Sequence, residues 1–197
     1  MREVELKSVV DDIDARRAAV ERAGGTLEYE GRLTDRRYGD ASGLLMLHDQ
    51  VLRLRVYENA SGKHGSLDWK GPTQYEDGYK VRDEISTAVA DPDAMGVILD
   101  NLGFLIILEI ERHIAQYDLE GAKVRFEVYP RMDTLVEVEG SPEAIESAIT
   151  AIGLDRAGFT AERLSEFMVR FEARTGEKAA LSGRELSGDY QFRPTIT

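Results

Sequence analysis

The feature that most constrains this chain is a two-residue alternation in which strand face after strand face is charged. In an extended strand, residues i, i+2 and i+4 share a face. MREVELK therefore groups Glu3, Glu5 and Lys7 opposite Val4 and Leu6. VLRLRVY sets Arg53, Arg55 and Tyr57 against Leu52, Leu54 and Val56. LDWK joins Asp68 to Lys70, and KVRDEI joins Lys80, Arg82 and Glu84. KVRFEVY joins Lys123, Arg125, Glu127 and Tyr129, and TLVEVEG joins Glu137 to Glu139. One such strand is most simply the solvated face of an antiparallel sheet. Six of them, with charges of both signs, call for another reason.

Helices punctuate these strands. Asp11 or Asp12 caps a helix over 12–23 that stops at Gly24-Gly25. Asp91-Pro92 starts a second that ends at Gly103, and Ser141-Pro142 starts a third that ends at Gly153. A fourth spans 160–174, with Leu164, Phe167, Met168 and Phe171 at helical spacing and Gly176 beyond. Period two predicts strands over 2–10, 27–38, 44–57, 65–71, 79–88, 105–117, 122–129 and 133–140. Eight strands with four helices, out of strict alternation, predict an α+β domain with a largely antiparallel sheet. Domain 1–176 is followed by an aperiodic Gly- and Ser-bearing tail, 177–197, expected to be mobile or to lie as a loose strap.

Composition removes several classes of function. The 197 residues carry a net charge of −12, a field that repels nucleic acid and anionic membranes. With no cysteine there are no disulfides, thiolate nucleophiles or Cys-zinc sites. His48, His64 and His113 are too scattered for a histidine metal set, and no phosphate-binding G-x-x-x-x-G-K-[ST] loop is present. The longest apolar run, 104–108, is far below the roughly 20 residues a bilayer requires. MREVELK has no apolar leader core, so a cytoplasmic protein without nucleic-acid or membrane partners is expected.

The helices are the natural partners of the apolar strand faces, which leaves the charged faces on one common surface. Were the sheet to close, that surface would line a barrel. Buried charges make a poor stabilising core but a good ligand tunnel. Lys7, Arg53, Arg55, Lys70, Arg82, Arg112 and Arg125 match a polyanion such as a triphosphate. Glu3, Glu5, Glu127, Glu137 and Glu139 would repel the same anion unless Mg²⁺ or Mn²⁺ bridged carboxylate to phosphate.

In order along the chain, these residues resemble the CYTH superfamily, the triphosphate tunnel metalloenzymes. Glu3-Val4-Glu5-Leu6-Lys7 is similar to the E-x-E-x-K signature. TDRRYGD, with Asp35 and Tyr38, resembles the D-x-Y-x-D segment, and LRLR resembles the alternating arginine strand. LDWKGP resembles T-x-K-G-P, and RDE, with Arg82 and Glu84, resembles R-x-E. ERH supplies Arg112, and FEVYPRMDTLVEVEG resembles the acidic strand pair carrying Glu127, Glu137 and Glu139. The likeness spans about residues 1–170 and is nearest to the class IV adenylyl cyclase and thiamine-triphosphatase branch.

The resemblance implies an eight-stranded antiparallel barrel with helices outside and a Mg²⁺ or Mn²⁺ requirement. It places Glu5, Lys7 and Tyr38 at the chemistry, the seven cations on the phosphates and the five glutamates on metal. The implied reaction is first ATP to cyclic AMP and pyrophosphate. The alternatives are hydrolysis of tripolyphosphate or thiamine triphosphate, and polyphosphate binding without turnover. The resemblance is also compatible with a homodimer. Three departures stand out: Ile110 takes the usual lysine position before Arg112, Glu127 replaces an aspartate, and PRMDT replaces a Gly-Leu-Gly turn. The first removes a cation from the tunnel.

Overall fold

A computed structural model describes residues 2–191. Nine strands and six helices follow one another as β1 (Arg2–Val9), α1 (Ile13–Arg22), β2 (Thr26–Gly39), α2 (Leu44–Leu47), β3 (Val51–Asn59), β4 (Gly62–Lys70), β5 (Gln74–Glu76), β6 (Tyr79–Val89), α3 (Pro92–Asn101), β7 (Leu105–Leu119), β8 (Ala122–Val128), β9 (Leu135–Glu139), α4 (Pro142–Ile152), α5 (Leu164–Thr175) and α6 (Gly183–Leu186). The sheet order β1-β9-β8-β7-β2-β3-β4-β6 closes through pairing of β1 with β6, and β5 hangs outside on β6. Every pairing is antiparallel. The result is an eight-stranded barrel with helices outside, the α+β architecture expected.

The caps hold as the residues dictate. Asp12, Asp91 and Ser141 accept from first-turn amides of α1, α3 and α4. Gly176 closes α5 at φ 73°, a left-handed angle that favours glycine. Gly65 on β4 lets α3 approach closely, since a Cβ there would stand 2.7 Å from Pro92 Cγ.

Apolar material is divided among three clusters. Leu6, Tyr117, Val124, Phe126, Val136 and Val138 pack under α1 and α4. Tyr38, Leu54, Val89 and Leu99 join barrel to α3. Ile110, Tyr129, Leu135, Phe167, Met168, Phe171 and Leu181 form a third cluster beneath α5 and the returning tail. Within that tail Ala179, Ala180 and Leu181 are buried, and Arg131 and Ala180 exchange backbone bonds at 3.1 and 2.7 Å. Residues 192–197 lie outside the described residues.

Two element boundaries differ from expectation. The segment expected as strand 44–57 breaks into α2 and β3. Its run Leu44-Leu45-Met46-Leu47 suits either state, but Gly43 turns the chain at φ 69° and the Asp40 side chain accepts from Leu44 N. The helix expected from 160 begins at Leu164. The Thr160 backbone is taken by a two-way bridge to Lys7, at 2.9 and 2.8 Å. The short strand β5 was not foreseen, three residues being too few to show a period.

Candidate functional site, a charged tunnel

Strand alternation brings the charged faces together inside the barrel. The cavity, about 280 Å³, is lined by Lys7, Arg37, Arg53, Arg55, Lys70, Lys80, Arg82, Arg112, Arg125 and Arg163. Only five acids, Glu5, Asp35, Asp49, Glu127 and Glu137, line it with them. Glu3, Asp68 and Glu84, paired to Lys70 and Arg53 from behind the lining, bring the acids to eight against ten cations, so the interior keeps a positive excess within a chain whose net charge is −12. The field in the tunnel thus opposes that of the molecule as a whole.

Three acids organise the basic wall. Asp35 accepts from Arg112 Nη1 at 2.6 Å and Arg55 Nε at 3.1 Å, with Arg53 Nε at 3.8 Å. Burial works to raise its pKa, but Arg112, Arg53 and Arg55 hold it well below the usual carboxylate range. Asp68 accepts from Arg53 Nε at 3.1 Å and Ser86 Oγ at 2.5 Å. Glu127 accepts from Arg112 Nε at 2.9 Å, Arg125 Nε at 3.0 Å and the Tyr129 hydroxyl at 2.5 Å. Against the opposing effect of burial, those partners bring Glu127 down to about 2. Each guanidinium is held by a rigid fork, so its free N–H groups have fixed directions.

Lys7 is the junction between the acidic and basic halves. Its Nζ lies 2.7 Å from Glu5 and 2.5 Å from Glu137. Lys80 also pairs with Glu5, and Arg125 with Glu137. Burial pushes Lys80 down to about 8, even with Glu5 opposing. Glu5 stays well below its ordinary value because Lys7, Lys80 and Lys70 outweigh its burial.

The expected site residues are therefore only partly assembled. Glu5, Lys7, Arg53, Arg55, Lys70, Arg82, Arg112, Arg125, Glu127 and Glu137 share the cavity. Glu3, buried beside Lys70, and Glu139, with Lys123 at 3.4 Å, line a second hollow instead. Tyr38 does not join them. It packs outward with Leu54, Val89 and Leu99, because the β2 residues that face the cavity are Asp35 and Arg37. Arg82 faces the cavity but spends two donors on the Gly71 and Asp49 carbonyls, at 2.7 and 2.6 Å. Ile110 does face inward.

Arg37, Asp49 and Arg163 were not anticipated among the charged residues of the site. Arg37 lines the cavity from β2, and among the described residues its Nε has no hydrogen bond and its guanidinium no ion pair. Burial and neighbouring Arg53 lower it to about 10. The two-residue step from Asp35 was the available signal. Asp49, left-handed at φ 51°, ties the mouth together by accepting from Thr73 N at 2.8 Å and Arg163 Nη2 at 3.0 Å. No strand period could have announced it, since it lies in a loop.

As to metal, no group of three or more acidic or histidine side chains suited to hold an ion occurs among the described residues. Glu5 and Glu137 nevertheless converge on one cation, Lys7 Nζ, and their hard oxygen donors are the type Mg²⁺ and Mn²⁺ take. The pair fits such an ion.

No protein-family model matches the chain, and no curated protein matches it by sequence. Solved structures do match. The PH1819 protein of Pyrococcus horikoshii aligns with TM-score 0.70 and 23% identity, over 85% of this chain and 98% of that one. An adenylate cyclase candidate from Vibrio parahaemolyticus aligns with TM-score 0.72 and 18% identity, over 85% and 97%. The Hippeastrum adenylyl cyclase candidate HpAC1, described as having dominant triphosphatase activity, aligns with TM-score 0.61 and 16% identity, over 92% and 98%. The chain has the fold of these proteins. At such identities fold is what is shared, and function has to be argued from the site. No helix among the described residues is long and apolar enough to cross a membrane.

Proposed function

We propose that the chain is a divalent-metal-dependent enzyme that cleaves a triphosphate within its tunnel. The observation that carries this reading is Arg37, a cation without an ion-pair partner among the described residues, in a cavity lined by nine other cations. The residue is partly buried and its Nε is cut off from water without a hydrogen bond among the described residues, which is costly for a cation, and a phosphate oxygen is a partner of the right charge. Arg53, Arg55 and Arg112 keep their planes fixed through Asp35 and Asp68, so they are oriented before the ligand arrives. For phosphoryl transfer, positioning and charge neutralisation are most of what a protein contributes. A Mg²⁺ or Mn²⁺ held by Glu5 and Glu137 would shield those carboxylates from the phosphates and polarise the phosphoryl group under attack. Lys7 then has phosphate oxygens as an alternative to its two glutamates, and Lys80, held near 8, can give or take a proton close to neutral pH.

Hydrolysis of the anhydride is the reaction favoured. Cyclisation, which the sequence resemblance puts first, needs a ribose 3′-hydroxyl aligned on the α-phosphorus and a nucleoside held to align it. The likeness to the Hippeastrum protein supports hydrolysis, and the likeness to the Vibrio protein is the support for cyclisation. Incubation with ATP and Mn²⁺ distinguishes them by product. Orthophosphate is expected. Cyclic AMP with pyrophosphate would transfer the chain to the cyclases, and tight binding without product would make it a polyphosphate-binding protein.

A further inference from the structure

The basic set occupies the middle of the tunnel, but one side of its mouth is apolar. There β7 contributes Leu108 and Ile110, α5 contributes Leu164 and Met168, and the returning tail contributes Leu181. This wall is continuous with the Arg112 and Arg125 surface, since Ile110 precedes Arg112 by one inward step on β7. Ile110, Met168 and Leu181 are nearly inaccessible to water, whereas Leu108 and Leu164 remain partly exposed. Of the polar groups of the mouth, Arg82 Nε and Nη2 are spent on the Gly71 and Asp49 carbonyls and Arg163 Nη2 on the Asp49 carboxylate. Beside the apolar residues, Ser165 brings a single hydroxyl. A site that recognises a nucleobase needs several directed donors and acceptors, and this wall has no such set.

The geometry points to a substrate class: a triphosphate monoester whose alcohol part is a hydrocarbon, with its phosphates among the arginines and its chain against Leu108, Ile110, Leu164, Met168 and Leu181. This inference rests on the triphosphate reading above and adds the identity of the carrier. A substrate whose three phosphates reach Arg53 and Arg112 has its ester oxygen toward the mouth, where the carrier meets the wall. A lysine in place of Ile110 would put a charge there, at odds with an apolar chain. Hydrolysis at the far anhydride needs nothing of the carrier except that it anchor the phosphates. Water attacks the terminal phosphorus, the bridging P–O bond breaks, and orthophosphate leaves with the diphosphate ester as co-product. The water proton passes to a neighbouring base or to solvent.

Methyl triphosphate and hexyl triphosphate test this directly, because they carry the same charge and differ only in methylene groups. Each methylene moved from water to an apolar wall strengthens binding by about threefold to fourfold when fully buried. Calorimetric titration in Mn²⁺ should show the hexyl ester bound at least about tenfold more tightly than the methyl ester. Leu108→Ser and Leu164→Ser, at partly exposed positions on the edge of the apolar cluster, should each shrink that ratio by about threefold or more in protein whose melting curve shows it folded. Equal affinity for the two esters would overturn the inference while leaving the triphosphate reading intact. Persistence of the full ratio in both serine variants would overturn it too, because the chain would be binding elsewhere. Failure of both esters and of tripolyphosphate to bind would overturn the triphosphate reading itself, and the carrier with it.

Discussion

The barrel has two interiors built on opposite principles. On its outer faces, Leu6, Phe126, Val138 and Ile149 lie in a dry cluster that gains free energy by leaving water. Inside, Asp35, Glu127, Arg53, Arg112 and Arg125 are as deeply buried, but their charges each lose hydration and regain it only through partners. A hydrophobic filling of that volume would stabilise the chain at least as well. The difference teaches where to look for function: the region that stabilises least for its burial is the one shaped for a ligand.

The largest effect should come from removing a partner inside the tunnel. Glu127→Ala takes one of two carboxylate partners from each of Arg112 and Arg125, which keep Asp35 and Glu137, and loss of one side of a buried pair costs up to about 3–5 kcal/mol. Phe167→Ala in the apolar cluster under α5 costs a similar amount, about 3–5 kcal/mol, by leaving a cavity. Tripolyphosphate should tell the two apart, raising the melting temperature of Glu127→Ala by much more than that of Phe167→Ala. Equal increments would erase the contrast between the two interiors.

Acid should act on the tunnel before the apolar clusters. Glu5, Asp35 and Glu127 have folded pKa values below their unfolded ones, so the stability they confer is present above about 4.5, the ordinary value for glutamate. It is lost as pH falls through the folded values, which for Glu127 means toward about 2. Thermal melts between pH 5 and pH 2, taken as order-of-magnitude bounds of that window, should show a steep decline in the wild type and a shallower one in Glu127→Gln.

Arg37 separates binding from folding. Arg37→Ala should weaken tripolyphosphate binding roughly tenfold to a hundredfold, the value of a charge-assisted bond of about 1.5–3 kcal/mol. Because it has no hydrogen-bonded or ion-pair partner among the described residues to abandon, its melting temperature should hold or rise. A lowered melting temperature would place Arg37 among the structural arginines. The smallest effect belongs to Lys80, where affinity should decline a few-fold as pH passes about 8 and the ammonium loses its proton. Lys80→Arg, with a guanidinium that keeps its proton, should flatten that decline.

Most of the barrel was legible because period two and period 3.6 leave different marks, and capped helices such as Pro92–Asn101 and Pro142–Ile152 announce both of their ends. The shared interior of Glu5, Lys7, Arg53, Arg55, Arg125 and Glu137 followed from alternation alone. What failed to show was whatever depends on tertiary geometry. Tyr38 carries a motif position but faces α3, past a register shift between Arg37 and Tyr38 in the pairing of β2 with β7. The strand predicted through Leu44–Leu47 is a helical turn because Gly43 and Asp40 set the local angle. The apolar mouth was invisible because its residues come from β7, α5 and a tail whose sequence has no period at all.

The central claim, that the charged interior is a triphosphate site, is tested most directly by calorimetric titration of tripolyphosphate into the wild-type chain with and without Mn²⁺. The account predicts saturable binding at one site per chain, tighter with Mn²⁺ present and weakened in Arg37→Ala. Absence of saturable binding under both conditions, or binding that Arg37→Ala leaves at full strength, would contradict it.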